Sequence, residues 1–169
     1  IGCINTLPPK YYKVLQAKGI KCAAFNPFRP IMSVVMNNRD HRKIFVVDGK
    51  VGFTGGINLA DEYINVASRF GYWKDTGIRL AGEAVWSMTV MFLEMWNYIN
   101  HSSEDYKQFM PQVYQKEPFE GDGFVQPYGD TPLDHETVGE NIYLNIINHA
   151  ERYVYIFTPY LIIDNEMLV

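Results

Sequence analysis

The chain has 169 residues, of which 47% are hydrophobic and 15% aromatic, so it can build one substantial core. Its 15 basic and 19 acidic residues give a net charge of −4, without the basic surplus that binding to a nucleic-acid backbone requires, so nucleic acid is not an expected partner. Two cysteines are too few for a disulfide framework or a zinc site, and no apolar run approaches the roughly 20 residues that cross a bilayer, so we expect a soluble or peripheral chain.

The amino-terminal part favours a helix between two strands. Residues 1–4 resemble the end of a strand whose beginning is missing. A helix is predicted from the proline pair at 8–9 to Gly19, which suits a left-handed cap. Residues 20–25 then predict a strand. The stretch 26–40 predicts a loop with a possible short strand, because prolines interrupt its apolar residues.

A β-hairpin is the clearest feature of the next part. Residues 41–47 are rich in β-branched and aromatic side chains, and the Asp-Gly pair at 48–49 is a strong signal for a tight turn. Residues 50–54 are predicted to form the returning strand. The glycine pair at 55–56 ends this strand and permits a close approach of the backbone to a ligand, and 58–62 predicts a helical turn or loop.

A strand at 74–80 and a helix at 82–100 complete the first predicted half. Apolar residues at helical spacing predict a core-facing stripe on this helix. The stripe comprises Val85, Met88, Phe92, Met95 and Ile99. Residues 101–123 are polar, contain prolines and glycines, and predict a linker.

A second α/β unit is predicted after the linker. Residues 124–128 predict a strand, 136–150 a helix and 153–158 an apolar strand. The predicted organisation is therefore a first half at 1–100, the linker, and the beginning of a second half at 124–169.

The residues that carry chemistry lie on and after the hairpin. Alternate residues of a strand point to the same face, so His41 and Lys43 should project side by side. The returning strand brings Gly55, Gly56 and Asn58 back towards them. A nucleophile candidate, a fixed cation and neutral donors around one small space are suited to binding a phosphate group.

Residues 41–58 resemble the signature of the phospholipase D superfamily. That signature is His-x-Lys, four residues, Asp, six residues, a Gly-Gly or Gly-Ser pair, one residue and Asn, and every element is present at this spacing. The resemblance implies an α/β fold with a phospholipase D-like mixed β-sheet flanked by helices. It also implies phosphoryl transfer through a phosphohistidine, with no metal and no cofactor.

The resemblance implies a role for each motif residue. His41 would be one of two histidines, either the nucleophile, which we favour, or the general acid, because an imidazole can be neutral or protonated near neutral pH. Lys43 and Asn58, with the backbone at Gly55 and Gly56, would hold the phosphate oxygens as charge develops on them.

Two aspartates are further candidates. Asp48 supplies the third letter of the motif and is a catalytic candidate, but its position at the hairpin tip favours a structural role. A nucleophilic histidine needs its other ring nitrogen anchored, and in related enzymes a downstream acid does this. Asp75 is our candidate for orienting His41, with Glu83 or Asp61 as alternatives.

The wider sequence resembles bacterial cardiolipin synthases. The similar stretches are 37–40, 55–63, 73–77, 126–130 and 158–161. This resemblance implies a reaction that joins two phosphatidylglycerol molecules into cardiolipin with loss of glycerol. It places the whole protein at the cytoplasmic side of the cell membrane.

Two departures from the family are important. The family carries two motifs in one chain, and this sequence contains one, so the site would need a missing second half or a second copy in a homodimer. The chain alone is therefore expected to be inactive. Another phospholipase D-type enzyme, such as a phospholipase or nuclease, and a non-catalytic half-module remain as alternatives.

Two apolar stretches could contact lipid. The segment at 28–36 lies just before the motif, where it could dip into a membrane, cover the site or pack on the sheet. Phe70, Tyr72 and Trp73 could line a lipid-facing rim or lie partly buried in the core. The sequence leaves both alternatives open.

Overall fold

The structure is a computed structural model that describes residues 7–27, 40–69, 71–116, 120–121, 123–131 and 135–158, together with residues 160, 163 and 165. These parts contain helices and a three-stranded antiparallel sheet, which confirms the mixed α/β class. The chain divides into two compact units, Ile1–Tyr128 and Gly129–Val169. The predicted limits of the two halves and the linker stay predictions.

Helix α1 spans Tyr11–Ala17, as predicted. Gly19 follows its carboxyl end with a φ of 79° and donates its N–H to the carbonyl of Gln16 at 2.9 Å, the left-handed cap that the sequence predicts. The predicted strand at 20–25 does not form in the structure. A strand needs a neighbour for its backbone N–H and C=O groups, and no strand in the described ranges pairs with this one.

The sheet consists of β1 (Phe45–Val47), β2 (Val51–Gly55) and β3 (Gly77–Ala81), in that order and antiparallel throughout. Asp48 and Gly49 have φ values of 53° and 67°, and the N–H of Lys50 donates to the carbonyl of Val47 at 2.9 Å. Positive φ at both central residues is the geometry of a type I′ turn. The predicted hairpin is therefore confirmed.

The first strand begins later than predicted. Residues 41–44 lie outside the ladder, and β1 starts at Phe45, which pairs with Phe53. Continuing this register would pair Lys43 with Gly55 and His41 with Ile57. Instead, the chain turns towards β3 after Gly55, because the N–H of residue 56 donates to the carbonyl of residue 76 at 3.3 Å. The segment with the motif histidine therefore has no strand partner in the described sheet.

Helix α2 spans Val85–Asn100 and packs on the sheet. Val85, Met88 and Leu93 are buried, and Met88 lies against Gly52, whose missing side chain leaves room for the thioether. Phe92, which the apolar stripe places in the core, is 50% exposed. That part of the prediction is wrong, because the face of α2 that carries Phe92 lines an open cavity.

The helix α3 in the second unit spans Val138–His149, which confirms the predicted helix. The predicted strands at 124–128 and 153–158 do not form, and Phe124 and Phe157 are almost fully exposed. As at 20–25, the described residues provide no neighbouring strand for either stretch. No helix in the described part of the chain is long and apolar enough to span a bilayer.

Candidate active site

His41 and Lys43 lie in the segment without regular secondary structure that leads into β1. The ammonium of Lys43 donates to the backbone carbonyl of His41 at 2.7 Å, while the imidazole is exposed. The two motif residues are thus held beside each other without a strand partner. Together they place an ammonium and an exposed histidine on the same short segment.

An ion pair that the sequence analysis missed anchors this segment. Arg42 donates from Nε and a terminal guanidinium nitrogen to the two carboxylate oxygens of Asp40, each at 3.0 Å, and its backbone N–H also donates to Asp40 at 3.0 Å. An aspartate two residues before an arginine permits this local turn, which is the signal that could have revealed it. The pair restrains the backbone on both sides of His41.

The ion pair also sets the charges around Lys43. Burial alone would raise the pKa of Asp40, but the hydrogen bonds and charge of Arg42 outweigh it and lower that pKa. The hydrogen bond to Asp40 raises the pKa of Arg42. Both groups are therefore charged near neutral pH.

The pKa of Lys43 is lowered, with desolvation as the largest cause. The negative charges of Asp40 and Asp75 act in the opposite direction and favour the ammonium form. An ammonium that is partly desolvated has given up some of its water, so an incoming phosphate displaces less water from it.

Close packing against the chain that enters β3 requires glycine at positions 55 and 56, which the sequence did not reveal. A Cβ on Gly55 would collide with the carbonyl oxygen of Thr76, and a Cβ on Gly56 would collide with the carboxylate of Asp75. The two glycines thus make room for the chain that enters β3. Asp75 therefore lies against Gly56, which follows the end of β2 and precedes Asn58 by two residues in the sequence.

Asp75 is held by its own loop. Its carboxylate accepts from Trp73 Nε1 at 2.8 Å and from the Thr76 N–H at 2.7 Å. The side chain of Asn65 clamps the Trp73 backbone with two hydrogen bonds, at 2.9 Å and 2.6 Å, and the ring of Tyr63 packs edge-on against the indole. This network fixes Asp75, whose negative charge favours the ammonium form of Lys43.

The role of Asp75 towards His41 stays a prediction. The two side chains are not hydrogen-bonded to each other in the structure, although both are among the described residues. Asp61 and Glu83, the alternatives, are exposed. The Asp61 carbonyl accepts from three backbone N–H groups in the loop after β2, so its backbone has a structural role there.

Two further motif residues lie at opposite ends of β2. Asp48 occupies the first central position of the hairpin turn, a structural position. Asn58 is half-buried in the segment that leaves β2, where its carbonyl accepts from the Ala60 N–H at 3.0 Å. Contact of either side chain with a phosphate stays a prediction.

Of the two apolar stretches, only part can be described. Tyr72 is 86% exposed, whereas Trp73 is half-buried and engaged in the network around Asp75. The segment at 28–36 and Phe70 lie outside the described residues.

Replacing Asp75 with asparagine is expected to lower the pKa of Lys43 further. The substitution removes a negative charge that favours the ammonium form and leaves the desolvation that disfavours it. NMR titration of the Lys43 side chain measures this pKa directly, with Asp61→Asn as the matched control. An unchanged Lys43 pKa in Asp75→Asn would contradict the proposed electrostatic contact. Any activity that needs the ammonium should correspondingly be lost at a lower pH in this variant.

Known proteins resemble this chain over nearly its whole length. No protein-family model matches the sequence, and no solved structure matches it. An uncharacterized protein of Streptococcus mutans is 54% identical over 97% of this chain and 35% of its own length. A protein of Alkalihalophilus pseudofirmus named cardiolipin synthase is 34% identical over 96% of the chain and 32% of its own length. A protein of the same name from Geobacillus thermodenitrificans is 35% identical over 94% of the chain and 31% of its own length.

The chain spans about a third of the length of the curated relatives that it matches. Within that third the similarity covers almost every residue of the chain, including the hairpin, α2 and the second unit. The matches therefore support a relationship between this chain and the cardiolipin synthase family.

Proposed function

We propose that this chain supplies one histidine half of a phospholipase D-type cardiolipin synthase, which transfers a phosphatidyl group between two phosphatidylglycerol molecules. The observation that carries the proposal is the pairing of His41 and Lys43 on one short segment, with the ammonium bonded to the histidine backbone. The similarity to proteins named cardiolipin synthase supports the choice of substrate.

In the proposed first step, a ring nitrogen of His41 attacks the phosphorus of phosphatidylglycerol. A phosphorus–nitrogen bond forms, the bond from phosphorus to the terminal glycerol oxygen breaks, and a second histidine protonates the departing glycerol. In the next step a hydroxyl oxygen of another phosphatidylglycerol attacks the same phosphorus, the phosphorus–nitrogen bond to His41 breaks, and the hydroxyl proton passes to the second histidine. The products are cardiolipin and glycerol, and both histidines return to their initial state.

Lys43 is the proposed electrostatic partner of the phosphate. Its ammonium would exchange the carbonyl of His41 for a non-bridging phosphate oxygen, and Asn58 with the backbone at Gly55 and Gly56 would bind the remaining oxygens. Fixed donors aimed at the charge that develops at phosphorus are worth most in a site from which water is excluded. In this mechanism no metal is required.

The second histidine is proposed to come from another part of the same protein or from a second copy of the chain. A two-fold pair would bring two copies of the motif together, since a symmetric interface joins the same surface of each partner. In either case, the chain alone is expected to be inactive. The complete protein is proposed to work at the cytoplasmic face of the membrane, where its lipid substrate lies.

Product analysis tests this function. The whole protein, incubated with vesicles of phosphatidylglycerol, should yield cardiolipin and an equimolar amount of glycerol, separated by thin-layer chromatography and an enzymatic glycerol assay. Phosphatidic acid as the main product would instead identify a phospholipase, in which water replaces the second lipid. Cleavage of a nucleic acid with no change to the lipid would identify a nuclease. Turnover by the 169-residue chain alone would show that the site forms without another protein segment.

A further inference from the structure

A cavity of about 900 Å³ lies between the β1–β2 hairpin, helix α2 and residues 108–113. The hairpin contributes Ile44 and Val46 to its wall, and the helix contributes Phe92 and Leu93. Residues 108–113 form the third wall. The volume lies in the range of about 300–1,000 Å³ that is typical of pockets for small molecules.

Local contacts hold the third wall in place. The side chain of Asn97, near the end of α2, donates to the carbonyl of Glu104 at 3.2 Å and accepts from Ser102 at 2.9 Å. These bonds direct the chain back along the helix. At the hairpin tip, a Cβ on Gly49 would lie only 2.9 Å from the carbonyl oxygen of Phe109, so the turn and the third wall touch. The cavity is therefore formed by structured elements on all three sides.

Apolar residues form most of the lining and favour an apolar ligand, while the polar residues Asp48, Lys50, Gln108 and Gln112 belong to the hairpin turn and the third wall. Thr89 is buried, but its hydroxyl donates to the carbonyl of Val85 at 2.9 Å within the helix and has no need of a partner in the cavity. Phe92, Met110 and Val113 remain 50%, 44% and 59% exposed. Covering such apolar surface is favourable because it releases the water that now contacts it. A hydrocarbon chain would do so and brings no polar group that the lining would have to satisfy.

The cavity begins beside the candidate site. Ile44 lines it, and Ile44 directly follows Lys43, with the two Cα atoms about 3.8 Å apart. Lys43 and Ile44 lie on one short stretch of chain just before β1. That chain continues into β1, which is an edge strand of the described sheet. A molecule with a phosphate at Lys43 could therefore pass a flexible tail over this edge.

We propose that the cavity holds an acyl chain of the phospholipid whose phosphate is bound at His41 and Lys43. This inference rests on the proposed function and assigns a site to the substrate's hydrocarbon part. It makes Ile44, Phe92 and Val113 determinants of substrate binding, although none of them belongs to the motif.

Photo-crosslinking locates the acyl chain without altering the protein. A short-chain phosphatidylglycerol with a diazirine at the end of one chain, irradiated with the whole protein, should label peptides that contain residues 89–93 or 108–113. Mass spectrometry of the digest identifies the labelled residues. Labelling confined to other peptides would overturn the inference.

Binding measurements add a test by substitution. Phe92→Asp should weaken binding of monomeric dioctanoyl phosphatidylglycerol at least tenfold, because it places a charge in the apolar wall. Tyr98→Asp is the matched control, since Tyr98 lies on the same helix, is 63% exposed and does not line the cavity. Glycerophosphoglycerol, which has the headgroup without acyl chains, should bind equally well to all three proteins.

The outcomes separate this inference from the proposed function. If Phe92→Asp and Tyr98→Asp bind dioctanoyl phosphatidylglycerol as well as the unmodified protein does, the acyl site is wrong even where the whole protein makes cardiolipin. If the unmodified protein binds this lipid no better than glycerophosphoglycerol, the acyl site is also wrong. Labelling across two copies of the chain would show that a second copy occupies the cavity, and would equally overturn the inference.

Discussion

Replacing His41 with alanine in the whole protein is expected to lower the rate of cardiolipin formation by about 10³-fold or more. As nucleophile or general acid, the imidazole would have no substitute, because the neighbouring Lys43 is positioned by the His41 backbone rather than by its ring. The loss should appear in kcat. Binding of phosphatidylglycerol should change little, since alanine retains the backbone carbonyl that positions Lys43, the proposed phosphate ligand, before the lipid binds.

The rate is measured from radiolabelled phosphatidylglycerol by thin-layer chromatography. His149→Ala is the matched control, because His149 lies at the end of α3, where its ring contacts the carbonyl of Asn145 at 2.9 Å and does not belong to the motif. Full activity of His41→Ala would remove His41 from the mechanism. A phosphatidyl group trapped on the unmodified protein, but absent from His41→Ala, would favour the nucleophilic role over the acid role.

Replacing Gly52 with valine is expected to destabilise the first unit by about 1–3 kcal/mol, the usual cost of overpacking a core. Valine has the higher strand propensity, so local preference alone predicts a gain. Packing predicts the opposite, because a Cβ at this position would lie 2.6 Å from the sulfur of Met88, which is 2% exposed. Urea denaturation followed by circular dichroism measures the free energy of unfolding of the two proteins.

The control for this experiment is Gly121→Val, since a Cβ at Gly121 would meet no atom within 4 Å. Its free energy of unfolding should stay within about 0.5 kcal/mol of the original. Shortening the neighbour provides a second check, because Met88→Ala should destabilise the original protein more than it destabilises Gly52→Val. Additive effects of the two substitutions would contradict the close packing of Gly52 against Met88.

Features that depend on adjacent residues were predicted well from the sequence. The turn at Asp48 and Gly49 requires positive φ at both positions, and Asp-Gly pairs adopt that geometry at low cost. The cap at Gly19 and helix α2 likewise follow from backbone preference and apolar periodicity. These signals lie within a few residues of the structure that they specify.

Strands that need distant neighbours were predicted poorly. The segments at 20–25, 124–128 and 153–158 have the composition of strands, but a strand forms only where another backbone lies alongside it. For the same reason, the strand predicted from the sequence begins too early, at His41. The chain turns towards β3 after Gly55, so residues 41–44 have no strand to pair with in the described sheet. Composition alone does not report where the partner is.

The sequence by itself predicted the type of site, because the spacing of His41, Lys43 and Asn58 is a local pattern that resembles a known phosphoryl-transfer motif. Only the tertiary structure decided how this site is supported. It revealed the ion pair of Asp40 and Arg42, which needed a particular local turn. It also showed that Gly55 and Gly56 accommodate the chain around Asp75, a contact between segments about 20 residues apart. Such contacts depend on how distant strands are brought together, and the sequence of neither strand contains that information.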